Sequence, residues 1–167
     1  MSKAFTSEET EDTSVTARPV ARAARGQERP ITPEGYKALQ SERAHLEGAG
    51  REALERLEEP EREVAKRQLE ARLGQVVATL DSVRVVHPEV KSDGVVRFGS
   101  RVLLRWASGK TQSLRLVGPD EADFRKGLVS VDSPIAQALL GQVEGASVEV
   151  ERPAGVEEAT LEQVASA

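Results

Sequence analysis

Between residues 36 and 83, positions on one face recur in alternating steps of three and four. Tyr36, Leu39, Arg43, Leu46, Gly50, Ala53 and Leu57 form one run, and Lys66, Leu69, Leu73, Val76, Leu80 and Val83 continue the rhythm beyond Pro60. That spacing predicts two helices, each with a narrow apolar seam of the coiled-coil kind. If they fold back on each other, Leu39 faces Leu80, Leu46 faces Leu73 and Ala53 faces Lys66, and every pair has its midpoint between Glu59 and Pro60. One antiparallel hairpin therefore satisfies all the apolar positions, with a glutamate-rich turn. Thr32 followed by Pro33 offers an N-cap and a proline at the first helical position, which fixes where the first arm begins. Gly48 and Gly50 should each cost about 1 kcal/mol relative to alanine. The outer half of the hairpin is thus expected to be weaker than its base, where Leu39, Leu46, Leu69, Leu73, Val76 and Leu80 supply the seam. The second arm is expected to end near Val85, and His87-Pro88 to open a linker into Gly94.

From Gly94 the period changes to two. Val95–Phe98 and then Arg101–Trp106 read as a strand pair, and Ser108-Gly109-Lys110 turns the chain into Ser113–Val117. Gly118–Asp123 reads as a loop and Leu128–Val131 as a short strand. Ser133-Pro134 opens a helix through Ile135, Ala138, Leu139 and Leu140 that stops at Gly141. Residues 147–151 and 157–164 can close a twisted antiparallel sheet. The expected fold class is α+β, in four stretches: a disordered tail over 1–30, a helical hairpin over 31–86, a linker over 87–93 and a sheet domain over 94–167. The tail is assigned from its Ser, Thr, Glu, Ala and Arg content, which buries too little apolar surface to offset ordering entropy. Within it Arg18, Arg22, Arg25 and Arg29 follow an acidic cluster at Glu8 to Asp12, the pattern of a solvated polyampholyte or of a partner-contacting arm.

Composition narrows the chemistry. Of 167 residues, 31% are charged and 38% hydrophobic, but only 3% are aromatic, which favours two small units over one large core. No apolar run approaches the roughly 20 residues that span a bilayer. The N-terminal segment has no signal-peptide character, so a cytoplasmic location and no membrane partner are expected. The absence of cysteine removes thiolate chemistry, and with only His45 and His87 no histidine-based metal centre is expected, so any metal would be a hard ion held by carboxylates. A formal net charge of −5 argues against nonspecific polyanion binding, although local basic faces can still meet nucleic acid.

Four stretches carry a family resemblance. Val117-Gly118-Pro119-Asp120-Glu121-Ala122-Asp123, followed by the run from Val129 through Asp132-Ser133-Pro134 to Gly141, resembles the C-terminal domain of the bacterial GreA/GreB transcription elongation factors. Ile31-Thr32-Pro33-Glu34-Gly35-Tyr36-Lys37-Ala38-Leu39 resembles the start of their first helix, and Val95 to Gly99 the segment entering their second domain. The similarity spans roughly residues 31–164. It implies an N-terminal antiparallel coiled-coil hairpin followed by an FKBP-like domain with one short helix. The implied function is binding RNA polymerase core at its secondary channel, as a monomer, and regulating elongation there. In that scheme the polymerase is the nuclease, and the factor is not itself an enzyme. It needs no cofactor of its own, its tip sharing the polymerase's active-site Mg²⁺ and meeting the nascent RNA 3′ end indirectly.

The resemblance assigns polymerase docking to Asp132, Ser133 and Pro134, with Asp120 and Glu121 beside them. Ser133 and Pro134 also read simply as a helix start. The tip departs from the family's Gly-Asp-Leu-x-Glu-Asn-like sequence: Leu57-Glu58-Glu59-Pro60-Glu61-Arg62-Glu63 has neither Asp nor Asn. Each arm, at roughly 37 Å, is also about two turns shorter than in typical cleavage factors. Glu58, Glu59 and Glu61 are the tip's candidate metal ligands, yet Glu61 and Glu63 equally suit the first turn of a helix. Weak or absent cleavage stimulation is therefore expected. Arg62, Lys66 and Arg67, with Arg72, are candidate RNA-facing residues or ion-pair partners of Glu52, Glu55 and Glu58. Phe98, Trp106 and Phe124 are expected in the core. Two other readings are a coiled-coil adaptor without polymerase contact and an FKBP-like prolyl isomerase or chaperone module, the latter disfavoured by the scarcity of aromatics.

Overall fold

The computed structural model describes residues 28–89, 91–152 and 155–165. The chain is α+β, and its helices come first. Strand β1 (Arg29–Ile31) leads into α1 (Pro33–His45), which passes through a π-helical stretch at Leu46–Gly50 into α2 (Arg51–Glu55). After the turn at residues 56–60, α3 (Glu61–Ser82) returns and ends in β2 (Val83–Val85). Thr32 caps α1, its Oγ1 accepting from Gly35 N at 3.0 Å, and Pro33 fills the first helical position, where no N–H is needed. The two helical segments pack together. Arg72 donates twice to the Glu42 carboxylate, at 2.6 and 2.9 Å, and a Cβ built on Gly50 would lie 2.9 Å from Leu69 Cδ1. Their packing is shallow, for Val76 alone among the described helical residues 33–82 is buried.

The second arm was expected to continue in its helix to Val85. Instead the helix stops at Ser82, and β2 pairs in parallel with β1, Arg29 opposite Val83 and Ile31 opposite Val85, extended by Val86 N donating to Ile31 O at 2.8 Å. Two β-branched residues in Val83-Arg84-Val85 favour the extended chain, and Ile31 is fully buried beside it. Arg29 and Pro30, assigned to the tail, thus lie in this strand, and residues 1–27 fall outside the described ones.

Five strands make the second sheet: β3 (Arg101–Trp106), β4 (Thr111–Val117), β5 (Leu128–Ser130), β6 (Ser147–Arg152) and β7 (Gly155–Ala165), in the order β5-β4-β3-β7-β6. The sheet is mixed, contrary to the antiparallel expectation, because β4 and β5 run parallel. Residues 118–127, with short 3-10 turns at Pro119–Glu121 and Phe124–Lys126, carry the chain back along β4 so that Leu128 pairs opposite Arg115. Because the chain travels back before it pairs, β5 runs in the same direction as β4, which a tight two-residue hairpin turn would not allow. Helix α4 (Pro134–Leu139) covers one face. Val102, Leu104 and Trp106 alternate inward along β3 and meet Leu114, Leu116, Val148, Val150, Ala159 and Leu161, with Ala136 and Leu139 above them. Between Leu103 and Leu104 the register to β7 shifts by one residue, a β-bulge at Glu162.

Val95–Phe98 is no strand partner of β3, which has β4 and β7 on its two sides. It runs past the end of α4, where Val96 N donates to Gln142 O and Val96 O accepts from Gly141 N, and Val95 forms one bridge to Val143. Gly99, at φ 85°, then turns the chain into β3, a conformation that suits glycine. Among the described residues no helix is long and apolar enough to cross a membrane.

Candidate functional site

The tip of the helical pair is made by local chemistry. Glu58, Glu59 and Glu61 are all exposed there. Arg62 swings back across the turn, and its Nε and Nη2 donate to Leu57 O at 2.9 and 2.6 Å. This guanidinium therefore satisfies a carbonyl left open by the end of α2. Arg67 pairs one turn away with Glu63 at 3.2 Å, not with Glu52, Glu55 or Glu58, and Lys66 is exposed. Among the described residues no group of three carboxylates or imidazoles converges on a point that could hold a metal. The Arg62 guanidinium thus lies across the same turn that carries the three glutamates. An apolar strip of Leu57, Pro60, Val64 and Ala65 flanks the turn, Val64 being 54% exposed.

A second cluster lies on the sheet unit. Ser130, Asp132 and Ser133 build a tight loop: Ser133 Oγ donates to Ser130 O at 2.6 Å, Asp132 N donates to Ser130 Oγ at 3.1 Å, and Gln137 Nε2 donates to Val131 O at 2.6 Å. Ser133 Oγ also caps α4, accepting from Ala136 N at 3.3 Å. These bonds hold Asp132 and Pro134 outward, both exposed. Pro134 and Ile135 line one wall of an open cleft of about 880 Å³, with Trp106, Gln112, Val150 and Phe124 around it. Trp106 is buried and its Nε1 donates to Gln112 Oε1 at 3.1 Å. Phe98 is half-buried. Phe124, expected in the core, is 64% exposed. It sits in the 3-10 turn Phe124–Lys126 and borders the open cleft beside Pro134 and Ile135, outside the packed core.

Asp120 and Glu121, expected beside this loop as exposed acids, do something else. Both are half-buried at the joint between the helices and the sheet. Glu121 Oε1 accepts from Thr32 N at 2.7 Å and from Gly118 N at 3.1 Å, and Oε2 accepts from Thr32 Oγ1. Asp120 Oδ2 lies 2.8 Å from Arg29 Nε without hydrogen-bond alignment, a contact held by charge, while Arg29 Nη2 donates to Ser82 Oγ at 2.9 Å. Arg115 reaches Glu34 at 3.2 Å. The Glu34 carboxyl is held below its usual range, first by hydrogen bonding to its own backbone N–H and then by Arg115. Sequence reasoning missed this joint. Its one local sign is Thr32 followed at the third helical position by Gly35, where a capping Thr is often matched by Glu or Gln.

A model of the family described as transcription elongation factor, GreA/GreB, C-terminal, matches residues 91–166. The transcription elongation factor GreA of Verminephrobacter eiseniae is 36% identical over 143 residues, covering 76% of this chain and 90% of that protein. That of Psychrobacter cryohalolentis is 35% identical over 151 residues, covering 81% and 96%. Among solved structures, GreA factor homolog 1 of Thermus thermophilus aligns with 83% of this chain and 99% of its own, at 26% identity and a TM-score of 0.40. At more than one-third identity across nearly the whole length of such relatives, this chain belongs to the GreA/GreB family of transcription elongation factors.

Proposed function

We propose that this protein is a transcription elongation factor that binds RNA polymerase core at its secondary channel, docking through its sheet domain and presenting its helices as an antiparallel coiled-coil hairpin. The observation that carries the reading is the match to GreA proteins over 90–96% of their length, which spans helices and sheet alike. The hairpin is supported by Gly50 lying against Leu69 and Glu42 against Arg72. Gly50 and Leu69 have the same midpoint, between residues 59 and 60, as the seam pairs. The sheet domain is read as FKBP-like, and the units as a hairpin over 31–86, a linker over 87–93 and a docking domain from 94. Neither the adaptor nor the isomerase reading draws support from the relatives.

Within this reading Asp132, Ser133 and Pro134 make the polymerase contact. The loop is tied internally by its own hydrogen bonds, so it meets a partner without much ordering cost, and an exposed carboxylate beside an apolar cleft suits a basic, partly apolar surface. The protein works as a monomer and has no catalytic residue of its own. Any Mg²⁺ involved is the polymerase's, and the tip is expected to stimulate RNA cleavage weakly or not at all.

The test is titration of labelled protein with core RNA polymerase. The unmodified chain should bind, and Asp132→Ala should weaken binding by about tenfold, ~1.4 kcal/mol, with an unchanged melting curve. No binding by the unmodified chain would overturn the function, and unchanged affinity of Asp132→Ala would overturn the docking assignment.

A further inference from the structure

A capping Thr is often matched by a Glu or Gln at the third helical position, whose carboxylate or amide takes the N–H of the cap residue. In α1 that position is Gly35, and the carboxylate comes from Glu121, 89 residues along the chain. It stands where a side chain at 35 would be: a Cβ built on Gly35 would overlap the Glu121 carboxylate. A Cβ on Gly118 would likewise overlap Pro30 O, so the joint closes only with glycine on both sides. Through Oε1 the same carboxylate also takes Gly118 N at the start of its own 3-10 turn. One side chain thus caps two helices that belong to different units.

Around it the flanking contacts reach each segment by which the chain enters or leaves the helices. Asp120 holds Arg29 in β1, Arg29 holds Ser82 at the end of α3, and Arg115 in β4 holds Glu34 in the first turn of α1. The covalent connection from β2 to β3 has neither helix nor strand among its described residues 87–93, and its own contacts, Pro88 against Gly99 and Asp93 with Arg97, lie on the sheet side of the joint. From this geometry we propose that Glu121 is the positioning residue that sets the bearing of the helices on the sheet domain. It acts by completing the cap of α1 from across the joint, and not by touching a partner. Its consequence for transcription rests on the function proposed above: Glu121 aims the tip while Asp132 binds.

The chain contains no cysteine, so spin labels on Gln68→Cys and Glu149→Cys, both exposed, report the angle by a pulsed distance measurement on the free protein. The parent should give one narrow distance distribution. Glu121→Ala and Gly35→Ala should each broaden it or add a second distance, whereas Glu121→Gln, which keeps an acceptor oxygen for Thr32 N, should restore the parent distribution. Circular dichroism checks that each variant is folded, and Gly35→Ala perturbs the joint without removing any polar group. In the polymerase assay Glu121→Ala should bind core polymerase as the parent does yet lose about tenfold or more of its effect on elongation, since ångström-scale misplacement is enough to spoil positioning. An unchanged distance distribution in Glu121→Ala overturns the proposal. So does lost affinity with unchanged distance, which would make Glu121 a docking residue. If the unmodified protein fails to bind polymerase, the functional reading falls, and the distance measurement still decides the role of Glu121.

Discussion

Gly50 and Gly74 lie on the two helical segments, and alanine at the two should behave oppositely. Gly74 sits in the middle of α3, and a Cβ built there has no heavy atom within 4 Å. Alanine should therefore gain the full helix-propensity difference of about 0.8–1.0 kcal/mol. At Gly50 the same gain meets Leu69 Cδ1 at 2.9 Å and His45 O at 3.4 Å. Leu69 is half-buried and has to turn away, and a side chain pushed off its rotamer costs about 0.5–1.5 kcal/mol, enough to cancel the gain. Gly50→Ala should thus leave stability nearly unchanged or slightly lower it. The cycle closes with Leu69→Ala. In that background the obstruction is gone, and Gly50→Ala should again stabilise by roughly 1 kcal/mol, a coupling well above the usual error of additivity. Urea unfolding followed by far-UV circular dichroism reads all four corners. If Gly50→Ala stabilises the parent as much as Gly74→Ala does, Leu69 does not face Gly50 and the hairpin register is wrong.

Other outcomes follow from the core, the tip and the charges. Leu161→Ala, at a fully buried position in the middle of β7, should cost about 2–5 kcal/mol and lower the melting midpoint of the sheet. Replacing Glu58, Glu59 and Glu61 together by alanine should change cleavage of backtracked RNA little; strong Mg²⁺-dependent cleavage abolished by that change would make them ligands after all. Asp93 accepts two bonds from Arg97, at 2.6 and 2.7 Å, which hold its carboxyl well below the usual range. A depressed folded-state value means that folding favours the charged form. The stabilisation is therefore complete above the ordinary aspartate pKa of about 3.9 and is lost as pH falls further. Asp93→Asn should flatten the acid limb of the stability profile, and an unchanged limb would show that the pair contributes nothing in solution.

What was legible in the sequence was local. Thr32-Pro33 and Ser133-Pro134 announce helix starts because a cap and a fixed φ act within one turn. Arg101–Trp106 and Ser147–Glu151 alternate because each strand has one buried face. What was not legible depends on partners far along the chain. Nothing in Leu128-Val129-Ser130 says that its neighbour runs parallel, since that follows from the path of residues 118–127. Val95-Val96 has strand-like composition, but both sides of β3 are already taken. Val83-Arg84-Val85 continues the helical seam in phase, and its β-branched residues take the extended form once Arg29–Ile31 pairs beside them. Asp120 and Glu121 read as loop acids because Thr32 and the Arg29 guanidinium that they meet lie some 90 residues earlier.

The short parallel pairing of β1 with β2 closes the chain on itself where the helices begin and end, so that everything from residue 32 to residue 82 is a loop hung from a clasp. Such a loop can change length without disturbing what holds it. Adding seven residues to each arm would keep the seam in phase and carry the tip outward by about 10 Å, while Arg29, Ile31, Val83 and Val85 stayed where they are. Reach and anchorage are in this way separable quantities: a longer or shorter arm is one symmetrical insertion or deletion away, and the sheet would not register the change.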